Sequence, residues 1–462
     1  MTVRSLLVWP LVVVALAADP AAAKKYTLPE LIGLSHSNPS LQAGAAATAA
    51  MQSQVMEARL NWLPTGSVLS LLAPSPNEEC FNQYGVHDVN LCLRTSSPEA
   101  SLSNVSWNRV FTHTEVQLIQ PIWDFGKISA GVAAAKAGVE VSRQKELGSR
   151  ADLELNVRKA YFGLKLAREV LDTLDQGAGY IEDAQKKIDK DLSKGTGSST
   201  VTDKLRMRTV HADLDARVLE TKRLQALARD SLRVLVGNQA QGDGQIDVDD
   251  EPFEAPEVTA RPVTYYEDLA RANRPEVKML EFAVKAKQAL ADLERRKEYP
   301  DLILIGGAVF ARAQTVDNPT NAFYSHYYNS TTAGLAAGLR IPLDLGPKIA
   351  RSHRMAHEAE EVGVQQSAAL GGILLEVQKA YGELTEARAR ADSMERGEKA
   401  GRAWISAVAQ NFALGLAESR DFSDALVAFF GMRTRYLQAV YDLDIAMSAL
   451  ARATGVSDFR SL

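Results

Sequence analysis

Two aspartates near the C-terminus, Asp421 and Asp424, are the clearest pair of side chains that could act together. Residues three apart share one face of a helix, so the two carboxylates would lie side by side. Taken alone, the pair favours an ordinary interpretation, in which acidic residues stabilise the positive N-terminal end of a helix. Carboxylates held close together could instead repel each other, raise one another's pKa and attract a cation. The residues alone leave both interpretations open.

Two other groups of side chains have spacings that could support chemistry. Cys80 and Cys92 lie in one polar, loop-like stretch, and in an exported chain such a pair predicts a disulfide, with two free thiols as the alternative. No histidine stands beside them at ligand spacing. His353 and His357 are four apart and could share a metal on a helix, but the His-Glu-x-x-His pattern is missing. We therefore expect no metal site.

Enzymatic chemistry has little support in the sequence. There is no Gly-x-Ser-x-Gly elbow and no Gly-rich phosphate loop ending in Gly-Lys-Ser/Thr. The formal net charge of −5 gives no support for binding a nucleic-acid backbone. An exported enzyme would need a nucleophile or a metal in a pocket, and neither is visible. We expect no catalytic residues, no cofactor and no nucleic-acid partner.

The first residues have the pattern of a secretory signal peptide. Arg4 gives a positive start, the apolar run Leu6 to Ala18 follows, and Ala21-Ala22-Ala23 offers small residues for cleavage. The run is shorter than the ~18 apolar residues that a transmembrane helix needs, and no later run reaches that length. We predict a signal peptide over 1–23 and an exported mature chain.

Proline placement and apolar spacing predict the elements that position these residues. No proline lies between Pro121 and Pro252, and none follows Pro347, so long helices are possible there. In both blocks apolar residues step alternately by four and three, which forms a heptad seam of unusually small residues. The predicted helices are 126–193, returning over 199–236, and 347–413, returning over 418–454. The first would be ~100 Å long at about 1.5 Å per residue.

The chain is one unit written twice. Leu155-x-Val157-x-Lys159-Ala160-Tyr161 recurs as Leu375-x-Val377-x-Lys379-Ala380-Tyr381. We assign the first repeat to 24–237, an acidic linker to 238–262 and the second repeat to 263–462. Each repeat has two stretches of β character before its long helix, at about 67–72 and 112–121, and at about 302–313 and 332–342.

These four strands have weak alternation, which is typical of membrane β-strands. The alternation is imperfect: one face carries Val116, Leu118 and Gln120, and the other carries Glu115, Gln117 and Ile119. Four strands cannot close a barrel, and lipid does not tolerate an open edge, so other subunits must complete the sheet. Tyr324, Tyr327 and Tyr328 beside a predicted strand fit either an aromatic girdle at the lipid interface or ordinary loop aromatics.

The order helix, strand, loop, strand, long helix and return helix, repeated twice behind a signal peptide, resembles the TolC-type outer-membrane efflux family. The resemblance covers essentially the whole mature chain. Its most telling motif is the entry into the first long helix, Gln117-x-x-Gln120-Pro121-Ile122-Trp123-Asp124-Phe125-Gly126-Lys127. The helix tips are the other matches, Gly197-x-x-x-Val201-Thr202-Asp203 and Gly415 followed by Asp421-Phe422-Ser423-Asp424.

The resemblance implies an α+β, mainly α fold, a TolC-like channel-tunnel that pairs a duplicated strand hairpin with long coiled-coil helices. It implies a homotrimer with a 12-strand β-barrel in outer-membrane lipid on a 12-helix α-barrel in the periplasm. Such a channel would be the passive exit duct of a tripartite efflux or type I secretion system. A periplasmic adaptor (membrane fusion) protein and an inner-membrane transporter would be its partners, and the linker would form a belt around the tunnel.

The resemblance also assigns roles to residues. Asp421 and Asp424 would form a carboxylate ring at the channel constriction, where the periplasmic tips are gated. The helix-tip region that meets the adaptor would include the following residues: Gly197, Val201, Thr202, Asp203, Gly415 and Arg420. The family's type member holds its tips shut with an arginine and a tyrosine acting on the neighbouring tip's aspartate. Here those positions read Ala417 and Phe412, so that charge-pair lock does not transfer, although Arg420 could replace the arginine.

The main alternative is a soluble periplasmic coiled-coil structural or adaptor protein. Small-residue heptads fit both hypotheses. The two predicted β hairpins distinguish them, because an all-helical scaffold has no use for β hairpins.

Overall fold

The computed structural model describes most of the chain. The described residues are 24–75, 82, 84, 86–89, 109–195, 199–237, 246–314, 316–317 and 327–457. The predicted signal peptide, Cys80 and Cys92, Gly197 and Tyr324 lie outside them.

Eight helices and six strands follow one another in the described residues. The helices are α1 (Leu28–Ser35), α2 (Pro39–Leu60), α3 (Lys127–Lys194), α4 (Val201–Val236), α5 (Val263–Asn273), α6 (Pro275–Arg296), α7 (Leu345–Ala413) and α8 (Ser419–Thr454). The strands are β1 (Lys24–Tyr26), β2 (Thr65–Ser75), β3 (Arg109–Trp123), β4 (Ile246–Val248), β5 (Asp301–Ala313) and β6 (Ser330–Arg340). The fold is α+β and mainly α, as the sequence predicts.

Helix ends follow recognisable local signals. Thr200 caps α4 in a capping box with Asp203, whose carboxylate accepts from the Thr200 backbone amide at 2.9 Å. The turn between α7 and α8 contains Gly415 at φ +77°, and α8 ends at Gly455 at φ +75°. Both glycines occupy the left-handed region of backbone conformation, which residues with a Cβ adopt only at a cost in free energy.

The chain packs as two compact units. One comprises Met1–Ala46, Arg143–Lys278 and Ala368–Leu462, and the other Ala47–Ser142 and Met279–Ser367. Each unit takes segments from both sequence repeats. The compact units therefore cut across the repeats instead of following them.

The first unit is held together by the heptad seams. Val157 and Leu164 of α3, and Val377 and Leu384 of α7, are almost completely buried. Around the α7 seam pack α5 and the C-terminal half of α8, through Tyr266, Leu443 and other side chains. The short strands β1 and β4 pair in parallel and bury Ile246 and Val248 against the α3 seam. Small seam residues let these long helices approach closely.

The second unit contains an antiparallel sheet in the order β2-β3-β5-β6. The register places Val68 opposite Val116, and Leu118 opposite Gly306, which in turn faces Leu335. Among the described strands only β3 and β5 have partners on both sides, so no described strand pairs with the outer edges of β2 and β6. The sheet is long and regular, with one irregularity between Pro121 and Trp123.

No helix in the described part of the chain combines the length and the apolar composition needed to cross a membrane.

Candidate functional site: the helix tips and the four-stranded sheet

Asp421 and Asp424 lie on one exposed face at the start of α8. Phe422 and Leu426 on the opposite face are buried. The Asp424 carboxylate is 3.9 Å from the Arg420 guanidinium, and both side chains are mostly exposed. The turn therefore presents two carboxylates together, and Asp421 also lies in the first helical turn, where a negative charge is favourable.

The tip between α3 and α4 presents an apolar surface. Val201 and Leu205, one helical turn apart on α4, are both more than half exposed. Thr202 is exposed as well, whereas the Asp203 carboxylate is largely covered. Asp203 accepts hydrogen bonds from the amide and the hydroxyl of Thr200, and its carboxylate serves as a helix cap.

The tip between α7 and α8 carries two apolar side chains that sequence reasoning missed. Leu414 and Leu416 flank Gly415 and are 74% and 76% exposed. Their position on either side of Gly415, a predicted tip glycine, is the sequence signal that could have found them. Apolar side chains this exposed at a helix turn are suited to contact a partner.

Phe412, at the position of the family's tip tyrosine, is buried in an apolar cluster. Its ring is 6% exposed and stacks on Phe422, with ring centroids 4.9 Å apart at 19°. Ala417 packs beside them in the same apolar cluster. The Asp203 carboxylate is engaged with Thr200, so within the chain these three positions form no polar lock.

A network of ion pairs around two largely buried arginines links four helices in the same unit. Arg274, between α5 and α6, donates to Glu276 of α6 and to Glu376 of α7, at 3.1 and 2.5 Å. Arg452 of α8 donates to Asp152 of α3 and to Glu276, at 2.7 and 2.5 Å. Burial by itself would raise the pKa of Glu276, but the charges of Arg452 and Arg274 outweigh it and hold this pKa below its usual value.

A second polar cluster fixes the linker to α3. The Lys165 ammonium is 2.6 Å from the Asp249 carboxylate and is nearly buried. The Tyr161 hydroxyl donates to the same carboxylate at 2.5 Å. Burial, followed by the hydrogen bond and charge of Asp249, raises the pKa of Tyr161, so this phenol stays protonated. The acidic linker residues thus act as anchors in this region.

The two faces of the four-stranded sheet differ in polarity. One face, here called the apolar face, carries most of the exposed large apolar side chains of the sheet, such as Leu72 and Leu335 at 77% and 73% exposed. It also includes Ser70, Thr114 and Arg312. The other face carries His113, Glu115 and Gln117 of β3, although Leu69 and Leu71 of β2 share it. An apolar face that the described residues leave uncovered is suited to an apolar environment.

Tyr327 and Tyr328 lie on the more polar face of this sheet. Tyr328 meets the buried Phe111 ring edge to face at 5.0 Å, and Tyr327 stacks on His113 at 6.0 Å. Phe111 and His113 point away from the apolar face, since they alternate with Val110 and Thr112. Both tyrosines therefore lie on the face opposite Leu72 and Leu335, and the choice between a girdle and loop aromatics stays a prediction.

The remaining predicted residues contribute no further site. His357 lies 3.6 Å from Glu360 on an exposed helix face. Within the described ranges no group of three or more histidine, cysteine, aspartate or glutamate side chains is placed to hold a metal ion. The predicted Cys80–Cys92 disulfide lies outside the described residues and stays a prediction.

Comparison with known proteins adds a sequence match and several structural ones. The family described as Outer membrane efflux protein matches residues 88–238 and 267–456, well over half of the chain. The cobalt-zinc-cadmium resistance protein CzcC of Cupriavidus metallidurans is 24% identical over 348 residues, which cover 73% of this chain and 76% of the relative.

Solved outer-membrane channels share the fold. The structure of CusC matches with a TM-score of 0.73 at 15% identity, over 94% of this chain and 93% of that one. The Campylobacter jejuni CmeC outer membrane channel matches with 0.73 at 15% identity, over 96% and 91% of the two chains. The open state of the Neisseria gonorrhoeae MtrE channel matches with 0.70 at 17% identity, over 93% and 89%.

Proposed function

The chain belongs to the outer membrane efflux protein family, and on that premise we propose that three copies form the exit duct of a tripartite export system. As a member of this family it is a transport channel of the outer membrane that extends into the periplasm, and not an enzyme. Membership also excludes the soluble structural or adaptor protein considered from the sequence. The trimer, its passive conduction and its gate are the proposed parts.

The four-stranded sheet is the main support for the proposed trimer. It has the apolar face with Leu72 and Leu335 and two edges, on β2 and β6, that no strand of the described ranges pairs with. Unpaired backbone groups are too costly to leave in a bilayer, so strands in lipid form closed barrels. Three sheets joined edge to edge would give a barrel of twelve strands and leave no edge. The apolar face would then meet lipid, and the face with His113 and Glu115 would line the pore.

The long helices α3, α4, α7 and α8 would supply the periplasmic part of the duct. Each chain contributes four such helices, so three chains would give twelve. The exposed apolar side chains at the two tips, Val201 and Leu205 with Leu414 and Leu416, would dock a periplasmic adaptor protein. An inner-membrane transporter, of an efflux or a type I secretion system, would supply the energy, and this chain would conduct passively.

The gate would lie at the start of α8. Asp421 and Asp424 from three chains would bring six carboxylates to one constriction. In this arrangement they repel one another, attract cations and retain a bound multivalent cation. The exposure of both carboxylates on one face of α8 supports this role.

We propose divalent transition-metal cations as the exported cargo. The relative named for cobalt, zinc and cadmium resistance supports this class. A carboxylate-lined entrance would favour cations over anions. Deletion of the gene should lower the concentration of Co²⁺, Zn²⁺ or Cd²⁺ that stops growth, and sensitivity unchanged for all three metals would remove this cargo class.

Planar-bilayer recording of the purified mature protein tests the duct and its gate. We expect discrete conductance steps that multivalent cations block from one side. The double variant Asp421→Asn/Asp424→Asn should lose most of that block. The matched control Asp268→Asn removes an exposed carboxylate of α5 and should keep it. Wild-type protein without steps would refute the duct, and block retained by the double variant would refute the carboxylate ring.

A further inference from the structure

Lys187 makes an unusual contact at the helix tips. It lies near the C-terminal end of α3, and its ammonium is 4.3 Å from the centroid of the Phe412 ring. The same ammonium donates a hydrogen bond to the Phe412 carbonyl oxygen. The neighbouring Lys186 differs, because its side chain is 70% exposed beside Glu182 and Asp183. Lys187 is therefore directed at an aromatic face and a carbonyl, whereas Lys186 faces solvent.

Because Phe412 lies at the C-terminal end of α7, its contact with Lys187 joins this helix end to α3. Phe412 lies in the last turn of α7, at the negative end of the helix, and its carbonyl oxygen also accepts from the Gly415 backbone amide at 3.1 Å. A cation at that end is favourable, and a cation over an aromatic ring adds a second attraction. Lys187 thus joins the end of α7 to α3, two segments that are distant in sequence.

The contact extends to the turn that carries the carboxylates. The Phe412 ring stacks on Phe422, which directly follows Asp421. Both rings belong to an apolar cluster that α3, α4, α7 and α8 share, whose buried members include Ile188, Met207 and Leu426. The α7–α8 turn cannot swing away from α3 unless the Phe412 ring leaves the Lys187 ammonium.

The contact between Lys187 and Phe412 is weak enough to form and break reversibly. A cation–aromatic contact of this kind shifts an equilibrium by roughly two- to thirtyfold. Such a contact holds a hairpin most of the time and yields to the binding of a partner. The apolar side chains Leu414 and Leu416, which stand exposed on the same turn, offer a place where a partner could apply that force.

We propose that Lys187 is a positioning residue, a latch that holds the α7–α8 turn against α3 and so sets how far the channel entrance opens. The latch is a property of the chain itself. Its effect on the entrance rests on the proposed function, in which Asp421 and Asp424 line that entrance.

Hydrogen–deuterium exchange of the purified mature protein tests the latch. Lys187→Met keeps the unbranched stem and removes the cation, and we expect amides of 412–424 to exchange about tenfold faster. Lys187→Arg restores a cation and should exchange close to wild type, which a loss of packing alone would not allow. The control Lys186→Met should also match wild type. Exchange in Lys187→Met no faster than in the control, or no rescue by arginine, would overturn the latch.

Bilayer recording of the same variants separates the two claims. Lys187→Met should show higher or more variable conductance levels, with Lys187→Arg and Lys186→Met like wild type. Faster exchange with unchanged conductance would overturn the effect on the entrance. Wild-type protein that forms no channel would refute the proposed function, and the exchange experiment would still decide the latch.

Discussion

The Glu276 carboxylate accepts hydrogen bonds from both Arg274 and Arg452. Replacing Glu276 with glutamine should weaken the ion-pair network that links α3, α6, α7 and α8. The carboxylate accepts from Arg274 Nε at 3.1 Å and from Arg452 Nη2 at 2.5 Å. Hydrogen bonds to charged groups contribute about 1.5–3 kcal/mol each. Both arginines keep a second carboxylate, on Glu376 and Asp152, so neither is left alone as a buried charge. We therefore expect a loss of about 2 kcal/mol, below the 3–5 kcal/mol typical of a broken buried pair.

The same substitution should change how stability depends on pH. The pKa of Glu276 is lower in the folded chain than in an unfolded one, so its contribution is present above the usual carboxyl pKa of about 4.3. That contribution is lost as the pH falls through the lowered folded pKa. The stability difference between wild type and Glu276→Gln should thus be full at neutral pH and should shrink below about pH 4.

Hydrogen–deuterium exchange of the amides in 450–455 measures this difference. A loss of about 2 kcal/mol corresponds to roughly thirtyfold faster exchange at pH 7. Glu281→Gln, on an exposed position of the same helix, is the matched control and should match wild type. Equal exchange in the two glutamine variants at pH 7, or the same difference at pH 3.5 as at pH 7, would refute the reasoning.

Three further predictions concern the tips and the first loop. Gly415→Ala places a Cβ on a residue in the left-handed region at φ +77° and should destabilise the α7–α8 turn by about 1 kcal/mol. Hydrogen–deuterium exchange should become faster in that turn alone, and unchanged exchange there would contradict the prediction. The double variant Leu414→Ser/Leu416→Ser should weaken cross-linking to the adaptor at least tenfold and leave bilayer conductance unchanged. The control Val234→Ser, at a similarly exposed position near the C-terminal end of α4, should cross-link like wild type. Wild-type cross-linking by the double variant would exclude Leu414 and Leu416 as the docking surface. Without reductant, Cys80 and Cys92 of the mature chain should resist alkylation, and labelling of both would refute the disulfide.

Periodicity predicted the elements of this fold well, because their determinants are local. The heptad residues Val157, Leu164, Val377 and Leu384 are indeed core residues. The alternation in β3 also places Val116 and Leu118 on one face of the sheet and Glu115 and Gln117 on the other face. A periodic pattern records which face of an element is covered, and that information is present in each segment by itself.

The contacts between distant segments could not be predicted in this way. Lys187 and Phe412 meet because two hairpins pack together, and neither residue has a local signal for the other. Arg274 and Arg452 share Glu276 for the same reason. The cap formed by Thr200 and Asp203 was an intermediate case. Its Thr-x-x-Asp spacing is a capping box that can be read from the sequence, which offers Thr200 or Ser199 as the cap of α4, and the structure uses Thr200.

Cross-linking of the sheet edges tests the central claim, a duct built from three chains, most directly. In a background with Cys80 and Cys92 replaced by serine, single cysteines would be placed along β2 and β6, and pairs combined in one chain. If β2 of one copy lies beside β6 of the next, oxidation in the outer membrane should give covalent dimers and trimers and nothing larger. Monomers alone, or a ladder that continues beyond three, would contradict the trimeric duct.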